Sequence, residues 1–297
     1  MSPNLQLGDW AIGVKMRTII EVTVVGNDRK WVVADITSFV FKNGGNIEQI
    51  NQNVVRGLFG MQLEASFQTI NRKRIDSGLR SLANKLKMEI KVHYEEPNRL
   101  RNIAILVSKQ PNCCLRILDA VEERLLRVNV PVIIGTDRSM KSIVDGRGIS
   151  FYHIDDKQEP ILAEKRILKL LEQYNVDLIL LARYMRILSP NFVWRYPNRI
   201  INIHPSLLPA FPGAYAYVQA YERGAKIVGC TAHFATEDLD QGPIICQDSF
   251  KVSESDTLDT IREKGQALEA ETLLKATKLY LEKRLEIYWG RVHILES

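Results

Sequence analysis

Short apolar runs, NIAILVS, VPVIIG, ISFYHI, DLILLA and RIINIH, recur between residues 102 and 204. Helical stretches such as EKRILKLLEQY lie between several of them. Strands that are apolar throughout have no wet face. Separated by helices, they belong in a parallel sheet covered on both sides. This feature constrains the fold more than any other. It predicts a doubly wound, mostly parallel α/β domain whose ligands bind at the carboxyl ends of the strands. KIVGCTAHFAT and PIICQDSFKV follow with no helix between them, which predicts an antiparallel extension. A helix is expected from Asp256 to about Leu285, and IYWGRVHIL should close the chain as one short strand.

Residues 17–94 carry a different pattern. RTIIEVTVVG reads as a strand, and the following helix places Trp31, Ile36, Phe39 and Val40 at helical spacing before Asn43-Gly44-Gly45 ends it. NIEQINQNVV and GLFGMQLEASFQ read as two strands, Ile75, Leu79, Leu82 and Leu86 line one helical face, and MEIKVHY alternates. The order βαββαβ is that of a ferredoxin-like split unit. The charged, proline-bearing segment from Glu95 to Arg101 reads as a linker, residues 1–16 as an N-terminal arm, and residues 102–297 as the second domain.

The net charge of +5, with lysine and arginine interspersed among acids, gives no reason to expect nucleic acid. No apolar run reaches the length of a membrane span, and the N-terminus lacks the order of a secretory signal. Cys113, Cys114, Cys230 and Cys246 match no zinc spacing, so no structural metal is expected. Reduced, buried thiols in the cytoplasm are the simplest reading.

The run IINIHPSLLP places Asn202 and His204 two residues apart, so both project from one face of a strand that Pro205 ends. In TAHFATEDLDQGPII, Thr231 and His233 share a face and an acidic stretch containing Glu237, Asp238 and Asp240 follows. LARYMRILSP comes directly after an apolar strand. Each piece alone has an ordinary structural reading: a solvated turn, a hydrogen-bonded histidine, a helix start. Together they describe a histidine, an amide and a carboxylate converging where a parallel sheet presents its ligands. Without a nucleophile elbow or a Walker loop, they suit polarisation of a carbonyl with a carboxylate steering a proton.

These same motifs, NIHPSLLPAFPG, QAYERGAKIVGCTAHFATEDLDQGPII and LARYMRILSP, resemble the formyltransferase family that uses 10-formyltetrahydrofolate. The resemblance spans roughly residues 101–295. It implies Asn202, His204 and Asp240 as the catalytic residues. It also implies Met185, Arg186 and Leu188, with Ala235, Thr236 and Glu237, as the folate-binding residues, and His233 supports the catalytic group from behind. The βαββαβ domain resembles an ACT domain, a ligand-sensing and oligomerising module. That implies a homo-oligomer and a possible amino-acid effector near Gly26–Arg29 and Asn43–Asn46. An ACT domain ahead of this catalytic domain implies hydrolysis of 10-formyltetrahydrofolate to formate and tetrahydrofolate, serving one-carbon metabolism and purine synthesis. No tightly bound cofactor is expected; the folate is the substrate.

Transfer of the formyl group to glycinamide ribonucleotide or another amine is the alternative. Transferases of the family hold the acceptor's phosphate on a Gly-x-Gly-Ser-Asn turn opening a helix. The same place here reads Ser108-Lys109-Gln110-Pro111-Asn112-Cys113-Cys114, with no glycine and with Pro111 removing an N–H. His204-Pro205-Ser206 follows the transferase form, while the ACT domain, the altered loop and the C-terminal GRVHIL favour water as the acceptor.

Overall fold

A computed structural model describes residues 17–96, 99–155, 159–210 and 215–296. The expected arm at 1–16, and parts of the linker and of the run NIHPSLLPAFPG, lie outside these residues. The chain divides into two compact units, residues 1–97 and 98–297.

The first unit contains β1 (Thr18–Asn27), α1 (Val32–Lys42), β2 (Gly45–Val55), β3 (Leu58–Phe67), α2 (Arg72–Leu86) and β4 (Glu89–Tyr94). The sheet order is β2-β3-β1-β4, antiparallel throughout. Alternation in β1 sends Ile20, Val22 and Val24 into the core, where they meet Val32, Ile36 and Val40 of α1 and Ile75, Leu79 and Leu86 of α2. Trp31 does not join that face. It precedes the helix in a left-handed conformation and is 75% exposed, so the apolar stripe starts one residue later, at Val32. Asn71 caps α2 by accepting from Arg74 N, an interaction worth about 1 kcal/mol. The edge strand β2 is exposed along nearly all its length.

The second unit continues with β5 (Arg101–Val107), α3 (Asn112–Glu122), β6 (Val128–Gly135), α4 (Met140–Val144), β7 (Ser150–His153), α5 (Pro160–Gln173), β8 (Leu178–Ala182), α6 (Pro190–Val193) and β9 (Ile200–His204). It ends with α7 (Ala216–Glu222), β10 (Ile227–Phe234), β11 (Ile244–Lys251), α8 (Leu258–Leu281), β12 (Leu285–Tyr288) and β13 (Arg291–Ile294). The sheet runs β11-β10-β9-β8-β5-β6-β7, parallel from β9 to β7 and antiparallel at β10 and β11. From Ile103 to Val107 each residue of β5 faces one of two cores. Ile103, Ile105 and Val107 pack with α3 and α8, while Ala104 and Leu106 pack with α5 and α6. That two-sided burial is why the strands are apolar without alternation. Strand order reverses between β5 and β8, which opens a crevice beyond their carboxyl ends.

The C-terminus differs from expectation. Helix α8 stops at Leu281, and the residues after it form a two-stranded antiparallel hairpin of their own rather than one strand. Gly290, at φ 71, supplies the tight turn between β12 and β13 within the run expected as one strand. Among the described residues no helix is long and apolar enough to cross a membrane.

Candidate active site

Asn202 and His204 leave β9 on the same face, as their spacing requires, and β10 brings its own pair opposite them. His233 registers with Asn202 and Thr231 with His204. His233 is 2% exposed, and burial pushes its pKa below the ordinary value despite the Phe234 carbonyl and Asp240, which pull the other way. The ring is therefore neutral near pH 7. Its Nδ1–H donates to Phe234 O (2.9 Å), which leaves Nε2 to accept from Asn202 Nδ2 (3.1 Å). This fixes which way round the Asn202 amide sits, with its second N–H available for another acceptor. Thr231 accepts from Leu208 N (3.0 Å) and donates to Ser206 O (2.7 Å), tying the segment after His204 to β10.

Asp240 arrives differently. Because β10 is antiparallel, its end lies beside the start of β9, where Ala235 N donates to Ile200 O. The loop must fold back over the sheet to bring its carboxylate to the histidines. Two local features allow that. Asp240 adopts a left-handed φ of 56, which aspartate tolerates better than most residues. Gly242 lies so close to Phe234 O that a Cβ would stand 1.7 Å from it. As a result Asp240 Oδ2 sits 3.3 Å from His204 Nδ1, and Oδ1 sits 3.9 Å from His233 Nε2. The His204 and Asp240 side chains are 5% and 6% exposed, so their attraction is little screened.

These groups open on a cleft of about 240 Å³. Its walls include Asn202, His204, His233 and Asp240, together with Met185, Arg186 and Leu188 on one side and Ala235, Thr236 and Glu237 on the other. All ten residues singled out from the sequence thus line one cavity. The segment after β8 is held by Ser108, whose hydroxyl accepts from Met185 N (3.1 Å) and from Thr136 Oγ1 (3.1 Å). Leu188 is buried, whereas Met185 and Ile187 are exposed, offering an apolar rim to a planar ligand.

Several residues here were not anticipated. Ile187 and Leu239 share the wall, as does Arg183. Behind Arg183 stands Glu269 of α8, fully buried, 3.4 Å from Arg183 Nε and accepting a hydrogen bond from Tyr217. Burial pushes the Glu269 carboxyl above its usual range, with Arg183 and Tyr217 opposing that shift. An acid in line with Gly265 and Leu273 on a buried helical stripe was the visible signal. The four cysteines are free and buried, and burial raises the thiols of Cys114 and Cys230 to about 12, which makes them packing residues. Among the described residues, no group of histidine, cysteine and acidic side chains is placed to hold a metal ion.

Fold and site together define a class, a formyl transferase catalytic domain preceded by an ACT domain. Residues 101–277 match the formyl transferase family and residues 18–93 the ACT domain. A formyltetrahydrofolate deformylase of Synechocystis is 41% identical over 269 residues, which is 89% of this chain and 94% of that protein. The crystal structure of a formyltetrahydrofolate deformylase from Pseudomonas syringae superposes with a TM-score of 0.65 at 27% identity, covering 96% of each chain. A glycinamide ribonucleotide transformylase from Symbiobacterium toebii superposes at 0.64 with 36% identity, but over 69% of this chain and 97% of its own. The chain belongs to the formyltetrahydrofolate deformylase family.

Proposed function

We propose that the protein hydrolyses 10-formyltetrahydrofolate to formate and tetrahydrofolate, with Asn202, His204 and Asp240 as its catalytic residues. The observation that carries this reading is the convergence of an oriented amide, a buried imidazole and a buried carboxylate in one cleft. The folate lies between the Met185–Leu188 segment and the Ala235–Glu237 segment, and its N10-formyl group reaches His204. Asn202 Nδ2 already gives one hydrogen to His233 and presents the other to the formyl oxygen. Asp240 faces His204 Nδ1, so the ring is turned with Nε2–H towards the charge that develops on the same oxygen. The carboxylate also steers the attacking water and takes its proton. Collapse of the tetrahedral intermediate breaks the C–N10 bond, N10 receives a proton, and formate leaves.

The test is release of formate and tetrahydrofolate from 10-formyltetrahydrofolate by the purified chain, with and without glycinamide ribonucleotide. Release with no acceptor is expected. Turnover that required the ribonucleotide would make the protein a transferase.

The reading extends to the rest of the chain. Residues 17–94 form the ACT domain, 95–101 the linker and 102–297 the catalytic domain. The exposed edge strand β2 supports homo-oligomerisation through the ACT domain, with an amino acid as effector. The protein works in the cytoplasm on a free folate and needs no tightly bound cofactor. Light scattering with and without added amino acids tests the assembly.

A further inference from the structure

The hydrolytic mechanism makes no use of the second buried polar cluster, Arg183 with Glu269 and Tyr217. Arg183 follows β8 with φ 59, a left-handed conformation that favours glycine over any residue with a side chain. It nevertheless carries a guanidinium, and the residue belongs to the wall of the cavity that Asn202 and His204 also line. Its pairing is imperfect: Arg183 Nε and Nη1 and Glu269 Oε2 are buried with no hydrogen-bond partner, although Nε and Oε2 stand 3.4 Å apart. Tyr217 satisfies the other Glu269 oxygen, and α8 makes room for it with Gly265, where a Cβ would lie 2.3 Å from the phenol oxygen. Two helices, α7 and α8, thus supply the groups behind one arginine.

Stability does not account for this. Buried ion pairs seldom outperform apolar residues of similar volume, and unsatisfied polar atoms are a further cost. Specificity does account for it. A formyl group bound at Asn202 and His204 is open to any nucleophile that enters the cleft. An amine is bulkier than water and carries a proton and a positive charge until it reacts. A guanidinium in the wall beside His204 opposes both its volume and its charge, while water is small and neutral.

We propose that Arg183, held in place by Glu269 and Tyr217, is a specificity-determining residue that reserves the formyl carbon for water by excluding amine acceptors. The proposal rests on the hydrolytic reading above. The excluded reaction is balanced without any further reactant. The amine nitrogen bonds to the formyl carbon, the C–N10 bond breaks, and the proton lost by the amine passes to N10. The products are an N-formyl amine and tetrahydrofolate.

The experiment supplies 10-formyltetrahydrofolate and glycinamide to the full chain and measures formate and N-formylglycinamide per tetrahydrofolate released. The unaltered protein is expected to give formate alone. Arg183→Gly, which also suits the left-handed backbone, should yield N-formylglycinamide at a ratio to formate at least about tenfold above the detection limit set by the unaltered protein. Arg183→Lys should keep the original ratio. Because Arg183→Gly leaves the Glu269 charge without its partner, Arg183→Gly/Glu269→Gln is measured beside it, and whichever variant melts cooperatively decides. A folded variant that still yields only formate overturns the role of Arg183. Failure of the unaltered protein to release formate would instead overturn the hydrolytic reading, and the proposal with it.

Discussion

The catalytic unit holds two buried polar clusters that share one cleft and obey opposite rules. Around Asn202, the links from Phe234 O through His233 to the Asn202 amide are made at ordinary hydrogen-bond distances. Around Glu269, two arginine nitrogens and a carboxylate oxygen are buried without hydrogen bonds. On the proposed mechanism the first cluster has to hold one geometry, because small displacements at a reacting centre are costly in rate. On the proposed role of Arg183 the second tolerates poor satisfaction, because it has only to occupy space and carry charge. Removing a member should therefore damage rate in the first cluster and stability in the second.

The largest effect is expected in the first cluster. Asn202→Ala or His204→Ala removes one donor to the developing oxyanion and should lower kcat by about 10²–10³. Asn202→Ala breaks no ion pair, so its melting temperature should stay near that of the unaltered protein, whereas His204→Ala also takes away the imidazole 3.3 Å from the buried Asp240 carboxylate and should melt lower. Formate release and thermal melts measured on the same preparations check this. A rate loss that scaled with lost stability would erase the contrast.

The next effect belongs to the second cluster. Glu269→Ala strands Arg183 beside a fully buried hole, and breaking a buried pair in this way typically costs about 3–5 kcal/mol. Tyr217→Phe removes only a donor to a buried carboxylate, a change on the order of 1–3 kcal/mol. Urea unfolding should rank them in that order. Equal losses would mean that the tyrosine, rather than the arginine, is the partner that keeps Glu269 folded.

How far each cluster could be read from the sequence follows from how it is assembled. Asn202 and His204 are two residues apart in a strand, so the sequence alone places them on one face. His233 joins them through strand pairing, and Asp240 sits in a loop marked by Gly242-Pro243. Arg183, Tyr217 and Glu269 are separated by 34 and 52 residues and meet only when the end of β8, α7 and α8 pack. No local period links them. The same limit explains the C-terminus. The residues after Leu281 read as a helix end and one strand, and only the pairing of Leu285 with Ile294 turns them into a hairpin. Trp31 shows the converse, since a large apolar side chain at helical spacing stays in water when the helix begins one residue after it.

The smallest effect separates the clusters by pH. His233 is a buried base whose folded-state pKa is depressed, first by burial and then by the charge of His204, against opposing pulls from Phe234 O and Asp240. The unfolded chain takes up this proton more readily than the folded one does. The stability contributed by neutral His233 is therefore complete above the unfolded pKa of about 6.5 and is lost as pH falls through that value towards the folded one. Glu269 carries the opposite sign. Its raised pKa makes it a contribution present at low pH and lost as pH rises above the ordinary glutamate range. His233→Gln keeps an oxygen that can accept from Asn202 but cannot titrate, so its stability should fall less than that of the unaltered protein between about pH 7.5 and about pH 5.5. Urea midpoints at the two pH values measure the difference. The same variant should keep formate release further into the acid range, because a protonated His233 has no lone pair left for the Asn202 amide. Identical slopes in both proteins would show that His233 already shares its proton with Asp240, and that the Asn202 amide is oriented by something other than a neutral ring.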